Sequence, residues 1–136
     1  MNRIIASIFL IACAPPAFAC SSQPGETRDI NFAFNSSAIS NAEMLALANW
    51  IIDMGDARST LEGISVVGLA DAREQYPQRI AEDRARNAKD VLDTLGVRSA
   101  TASVVAHVYK PATEANKYEP TGTRAEVTLI PACTDK

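Results

Sequence analysis

The run LEGISVVGLA, residues 61–70, constrains the fold more than any other stretch of this chain. It is almost continuously apolar and stops at an acidic residue, Asp71. A short apolar run of this kind is typical of a strand that is covered on both faces. The rest of the chain must therefore supply neighbouring strands and helices that pack against the sheet.

The segment INFAFN, residues 30–35, alternates apolar and polar side chains. Ile30, Phe32 and Phe34 fall on one side, and this period of two predicts a half-buried strand. The polar turn residues after it lead to Ser40 and Glu43, which have the spacing of a capping box and predict the start of a helix.

That first helix is predicted over residues 42–54, with an apolar face that includes Leu45, Ile51 and Ile52. Trp50 is interpreted as a core anchor. A second helix is predicted from about Gln78 to Leu95, and it ends at Gly96, because glycine is the common residue just past a helix C-terminus.

Two further strands are predicted at residues 101–110 and 123–131, with a polar loop over 111–122 between them. The order is then strand, helix, strand, helix, strand, strand. This β-α-β-α-β-β order predicts a single α/β sandwich, in which two helices pack on one mixed four-stranded sheet.

The first 19 residues have the features of a secretory signal peptide. Arg3 gives a positive start, an apolar stretch follows, and Ala17-Phe18-Ala19 is a cleavage pattern. The apolar stretch is shorter than the roughly 20 residues that span a bilayer. The sequence therefore predicts an exported protein with a lead-in over 20–27, one domain over 28–131 and a tail over 132–136.

Cysteine usage leaves two interpretations open. Cleavage after Ala19 removes Cys13 and leaves Cys20 and Cys133 near opposite ends of the chain. In an oxidising compartment these two would form a disulfide. The alternative is a lipoprotein in which Cys20 is the lipidated first residue, although the residues before it lack the usual leucine.

The composition argues against several classes of function. The formal net charge is −3, and no basic stripe is present, so nucleic acid is not expected as a partner. No serine or cysteine lies in a nucleophile motif, and no cluster has metal-ligand spacing, so no enzyme, metal or cofactor is predicted. The single histidine, His107, is interpreted as a sheet residue.

Asp71 and Arg84 are the two charged residues that the sequence indicates as a candidate site. At about 100° per residue, Arg84 falls within the core-facing stripe of the second helix, whereas the other charges of that helix lie on the far side. Asp71 ends the preceding strand, close to where this helix begins. The two residues form either a structural ion pair or a binding site for a zwitterion. In such a site Asp71 would accept hydrogen bonds from an ammonium group, and the Arg84 guanidinium would bind a carboxylate through two hydrogen bonds.

Four segments, INFAFNSSAIS, ISVVGLAD, RIAEDRARNAKDVLDTLGV and GTRAEVTL, occur in an order that resembles the OmpA-like, or OmpA C-terminal, peptidoglycan-binding domain. The resemblance covers about residues 28–131. The residues that match the family's motifs are Gly68, Asp71, Ile80, Ala81, Arg84, Ala85, Arg124, Glu126 and Val127. The chain departs from the pattern at Ala70, Pro77, Gly122 and Thr123, and the glycine expected shortly after the acidic residue is missing.

The resemblance implies a non-catalytic domain that binds peptidoglycan in the periplasm, with an association with the outer membrane. It implies that Asp71 and Arg84 hold the diaminopimelate of the stem peptide, and that Arg124 contributes to the same site. The alternative is a periplasmic protein-interaction module on the same scaffold that no longer binds peptidoglycan. An outer-membrane or other envelope protein is then the expected partner.

Overall fold

The computed structural model of this protein describes residues 24–55, 61–110 and 122–133. The predicted signal peptide, Cys20 and most of the loop over 111–122 lie outside the described residues. The elements are β1 (Glu26–Asn31), α1 (Asn41–Asp53), β2 (Leu61–Asp71), α2 (Pro77–Thr94), β3 (Ser99–Tyr109) and β4 (Arg124–Pro131).

The four strands form one sheet in the order β1-β4-β2-β3. Strand β2 pairs in parallel with β3 and antiparallel with β4, and β4 pairs antiparallel with β1. The predicted α/β architecture with a mixed four-stranded sheet is therefore confirmed. No helix in residues 24–55, 61–110 or 122–133 is long and apolar enough to cross a bilayer.

Both helices bury their apolar side chains in the same core. Leu47 of α1 and Leu92 of α2 join Val66 of β2 in a single cluster, and all three side chains are fully buried. Alternate residues of β2, Ser65 and Val67, are only half-buried. One face of the central strand is thus less covered than its apolar sequence predicts.

Strand β1 begins and ends earlier than the alternation predicts. It stops at Asn31, and the backbone then turns, with the Ser36 N–H donating to the Ala33 carbonyl at 3.1 Å. Phe32 is buried beyond the strand end, but Phe34 is 54% exposed, so the prediction that it lies on the buried side is wrong. The reason is that the turn takes Phe34 out of the strand's period of two.

Helix α1 begins as its capping pattern predicts. Ser40 is the N-cap residue, and its hydroxyl accepts the Glu43 backbone N–H at 3.2 Å. The apolar face is narrower than predicted, because Leu45 and Ile52 are about two-thirds exposed. Trp50 is partly buried and packs against the core.

Helix α2 lies directly against β2 at Gly68. A Cβ atom at Gly68 would overlap the Ala81 carbonyl and lie 2.7 Å from the Ala85 backbone nitrogen. This close approach fixes the first turns of α2, including Arg84, over the end of β2. The helix is followed by Gly96 at φ +78°, which confirms the predicted glycine stop.

Candidate ligand site

The side chain of Arg84 is completely buried, as the helical pattern predicts. All five of its N–H groups donate to protein acceptors, which are the Ser36 carbonyl (2.9 Å), the Leu69 carbonyl (2.9 Å), the Ala33 carbonyl (3.1 Å) and the two carboxylate oxygens of Glu74 (2.6 and 2.7 Å). The guanidinium also lies 5.2 Å from the centroid of the Phe32 ring. Since an arginine has five donors, its hydrogen-bonding capacity is filled.

Glu74 is the ion-pair partner of Arg84, and its side chain is equally buried. Besides the guanidinium, its oxygens accept the Asn35 backbone N–H at 2.7 Å and the Asp71 backbone N–H at 2.8 Å. Burial raises the pKa of this carboxyl, but the hydrogen bonds from Arg84 and the two backbone groups outweigh burial and lower it. Glu74 is therefore a satisfied carboxylate inside the protein.

Asp71 pairs with Arg73 rather than with Arg84. The Arg73 guanidinium donates to both carboxylate oxygens at 2.9 and 2.8 Å, and the Arg73 backbone N–H adds a third bond at 2.9 Å. These bonds lower the pKa of Asp71 to about 2. The side chain of Asp71 is 17% exposed and that of Arg73 is 82% exposed, so this is a surface pair.

Arg124, the third predicted site residue, is the first residue of β4. It is 7% exposed, contacts Glu126 at 2.6 Å and lies 3.5 Å from the Asp29 carboxylate. Burial raises the pKa of Asp29, with Arg124 opposing that shift and Glu126 adding to it. The Arg124 guanidinium also lies 5.5 Å from the centroid of the Tyr109 ring.

Asp71 and Arg124 lie at the same end of the sheet, and both are neighbours of Tyr109. Tyr109 is the register partner of Asp71 across β2 and β3. A Cβ atom at Gly122 would lie 2.9 Å from the Tyr109 ring and 3.2 Å from the Asp71 Cα atom, so glycine allows the chain before β4 to lie against this edge. Arg84 is inside the protein and reaches Asp71 only through Glu74, which bonds to both residues.

Sequence reasoning missed Glu74. An inward-facing arginine requires a carboxylate partner, and Asp71 and Glu74 are the two acidic residues between the end of β2 and the start of α2. The strand-end position favoured Asp71. The backbone turn at residues 71–74, closed by a bond from the Glu74 N–H to the Asp71 carbonyl at 3.0 Å, instead directs Glu74 inward.

Other features of the described residues lie apart from this site. Grooves of about 390 and 590 Å³ flank the first turns of α2, and Gln78, Glu82 and Arg86 line both of them. His107 is exposed on β3, as expected for a sheet residue. Within residues 24–55, 61–110 and 122–133, no cluster of three or more His, Cys, Asp or Glu side chains could hold a metal ion.

No family model matches the chain, and no curated protein matches it in sequence. Solved structures do match. The OmpA-like domain of FopA1 from Francisella tularensis subsp. tularensis SCHU S4 superposes with a TM-score of 0.60 at 18% identity, covering 96% of this chain and 98% of that one.

Two further structures agree with that match. The cell wall anchor of the T6SS from Pseudomonas aeruginosa gives a TM-score of 0.54 at 20% identity, covering 80% of this chain and 83% of the other. The peptidoglycan-associated lipoprotein from Burkholderia pseudomallei gives 0.50 at 20% identity, covering 76% and 88%. These comparisons show that the chain has the fold of an OmpA-like domain.

Proposed function

We propose that this domain is a non-catalytic module of the cell envelope that binds the stem peptide of peptidoglycan in the periplasm, close to the outer membrane. Diaminopimelate is the proposed ligand, and Asp71, Arg84 and Arg124 are the proposed site residues. The OmpA-like fold supports this proposal, as do similar structures described as a cell wall anchor and as a peptidoglycan-associated lipoprotein. Fold alone does not fix function, so the chemistry of the site has to support the proposal as well.

The observation that carries the proposal is the carboxylate of Asp71. It lies at the end of β2 with 17% of its side chain exposed, and an aspartate is ionised at neutral pH whether or not Arg73 stays beside it. Its partner Arg73 makes a two-pronged contact with it, but Arg73 is 82% exposed, so solvent weakens this pair relative to the buried Glu74–Arg84 pair. The ammonium group of a ligand would have to compete with Arg73 for the Asp71 carboxylate.

The two arginines have less direct roles in this proposal. Arg124 supports the Tyr109 ring beside Asp71. Arg84 holds the loop between β2 and α2 in place by binding Glu74. Arg84 can bind the carboxylate of a ligand only if the Glu74 side chain moves away from it. One observation thus favours a second candidate, a periplasmic protein-interaction module, because the Glu74–Arg84 pair fills the buried half of the predicted site.

Co-sedimentation of the mature protein with purified peptidoglycan tests the proposal. We expect the wild type in the pellet and Asp71→Asn largely in the supernatant, since the amide cannot hold an ammonium group as an ion pair. Asp90→Asn, an exposed acid on α2, is the matched control and should behave as the wild type. A wild type that stays in the supernatant supports the protein-interaction module, and release of soluble muropeptides would contradict the non-catalytic assignment.

A further inference from the structure

We infer that Glu74 sets the specificity of this site. Its carboxylate occupies the place on Arg84 where the carboxylate of a ligand would bind. The folded domain therefore selects a ligand by its ammonium group and gains no affinity from a neighbouring carboxylate. The identity of the ligand rests on the function proposed above. The occupation of Arg84 by Glu74 is independent of that function, because it follows from the geometry of this chain alone.

The contact between the two residues has the geometry of carboxylate recognition. Each terminal nitrogen of Arg84 donates to a different oxygen of Glu74, at 2.6 and 2.7 Å. This two-pronged arrangement is how a guanidinium grips a carboxylate in a binding site. The remaining three donors of Arg84 are occupied by backbone carbonyls, so an incoming carboxylate finds no N–H group to accept from.

Glu74 is also held in place by groups other than Arg84. The backbone N–H groups of Asn35 and Asp71 donate to its two oxygens. Asn35 has a positive φ of 57°, and its side-chain oxygen accepts the Gln75 N–H at 2.7 Å, which ties the loop after β1 to the loop after β2. A ligand that displaced Glu74 would leave these N–H groups without their acceptor, a cost that its own two bonds to Arg84 do not offset.

The consequence concerns the chemical class of ligand. Asp71 remains as the acid that a ligand can reach, and it recognises an amine. A peptide amine whose neighbouring carboxyl is amidated should therefore bind as well as the free acid. In a site with an open arginine, the loss of that charge would reduce affinity by about tenfold or more.

The wild-type protein provides the first test. The Nε–H resonance of Arg84 is followed by NMR while sodium acetate is added, with sodium chloride at equal ionic strength as the control. We expect no shift that is specific to acetate. A saturable shift caused by acetate would show that Arg84 is open to carboxylates and would overturn the inference.

The second test removes the internal carboxylate. Glu74→Ala leaves room beside Arg84, and acetate should then raise the Tm of the variant by about 4 °C over chloride. The wild type and Glu82→Ala, an exposed glutamate on α2, should show no such difference. If Glu74→Ala folds and acetate does not stabilise it, Glu74 does not occupy a carboxylate site; if it does not fold, the wild-type titration decides.

The third test separates this inference from the proposed function. Binding of diaminopimelate and of its diamide, in which neither end keeps a free carboxylate, is measured by calorimetry on the wild type and on Glu74→Ala. We expect equal affinities for the wild type and a preference of about tenfold for the free acid in the variant. A wild type that prefers the free acid contradicts the inference, whereas a wild type that binds neither compound contradicts the proposed function and leaves the acetate tests to decide on Glu74.

Discussion

Glu74 and Arg84 form a buried ion pair in which both side chains are fully hydrogen-bonded. The carboxylate accepts from two backbone N–H groups as well as from the guanidinium, and the guanidinium also donates to three backbone carbonyls. The acceptor carbonyls belong to the turn after β1 and to the end of β2. The pair therefore joins three parts of the fold at the end of the sheet where the ligand site is proposed.

Arg84→Ala should destabilise the protein by about 3–5 kcal/mol, because it leaves the Glu74 carboxylate buried without its partner charge. Urea denaturation at neutral pH measures this change. Arg86→Ala is the matched control on the same helix, since its pair with Asp83 is on the surface, and it should cost less than about 0.5 kcal/mol. A comparable loss in both variants would contradict the special role of the buried pair.

The double variant Glu74→Leu/Arg84→Met tests whether removing both charges of this pair costs less stability than removing one. Replacing both members of a buried pair by apolar side chains of similar size removes the unpaired charge. We expect it to be more stable than Arg84→Ala, but by only about 1 kcal/mol, because the substitution at Glu74 leaves the Asn35 and Asp71 N–H groups without an acceptor. A double variant as unstable as the single one would mean that the backbone hydrogen bonds, rather than the charges, hold this region.

Acid should destabilise the fold through Glu74 and Asp71, whose folded pKa values are both lowered. The unfolded chain then binds more protons than the folded one, so stability is fully present above about pH 5 and falls as pH decreases below about 4, towards about 2. Asp29 acts in the opposite sense, because its folded pKa is raised.

Urea midpoints of the wild type and of Asp29→Asn between pH 7 and pH 3 measure this effect. Asp71→Asn should remove one part of the acid dependence and leave the parts due to Glu74 and to Asp93, whose pKa the hydrogen bonds from Lys89 also lower. If the stability of Asp29→Asn increased as pH decreased from about 5 to about 3, the lowered pKa values of Glu74 and Asp71 would be contradicted.

Most of the fold could be predicted from periodicity and caps. The cap at Ser40, the stop at Gly96 and the order of the elements depend on local chemistry that a sequence displays. The errors occur where tertiary contacts decide. Phe34 is exposed because the chain turns before it, and Leu45 is exposed because α1 covers the sheet with a narrower face than its apolar residues indicate.

The site could be predicted only in part, for a related reason. Helical geometry was enough to place Arg84 in the core, since its position relative to the other α2 residues is local. The choice between Asp71 and Glu74 as its partner depends on the turn after β2 and on the Asn35 N–H, which lies 39 residues away along the chain. A contact of that range leaves no pattern in a single sequence.

Gly68→Ala should be among the most damaging single substitutions in this chain. The added methyl group would meet the backbone of α2 at Ala81 and Ala85, which cannot move without displacing the helix. We expect a loss of about 3 kcal/mol, measured by urea denaturation. Gly63→Ala, whose Cβ atom would lie 3.3 Å from two side-chain atoms, is the matched control and should cost clearly less.

The state of Cys133 distinguishes the two predicted forms of the mature protein. If the chain forms the predicted disulfide with Cys20, non-reducing peptide mapping of protein from the periplasm should find the two terminal peptides joined. Cys133→Ser should then lower the free energy of unfolding by about 4 kcal/mol, because the crosslink closes a loop that is almost as long as the mature chain. If Cys20 is lipidated instead, intact mass will show the added acyl chains, and Cys133→Ser will leave stability unchanged, since no crosslink is lost.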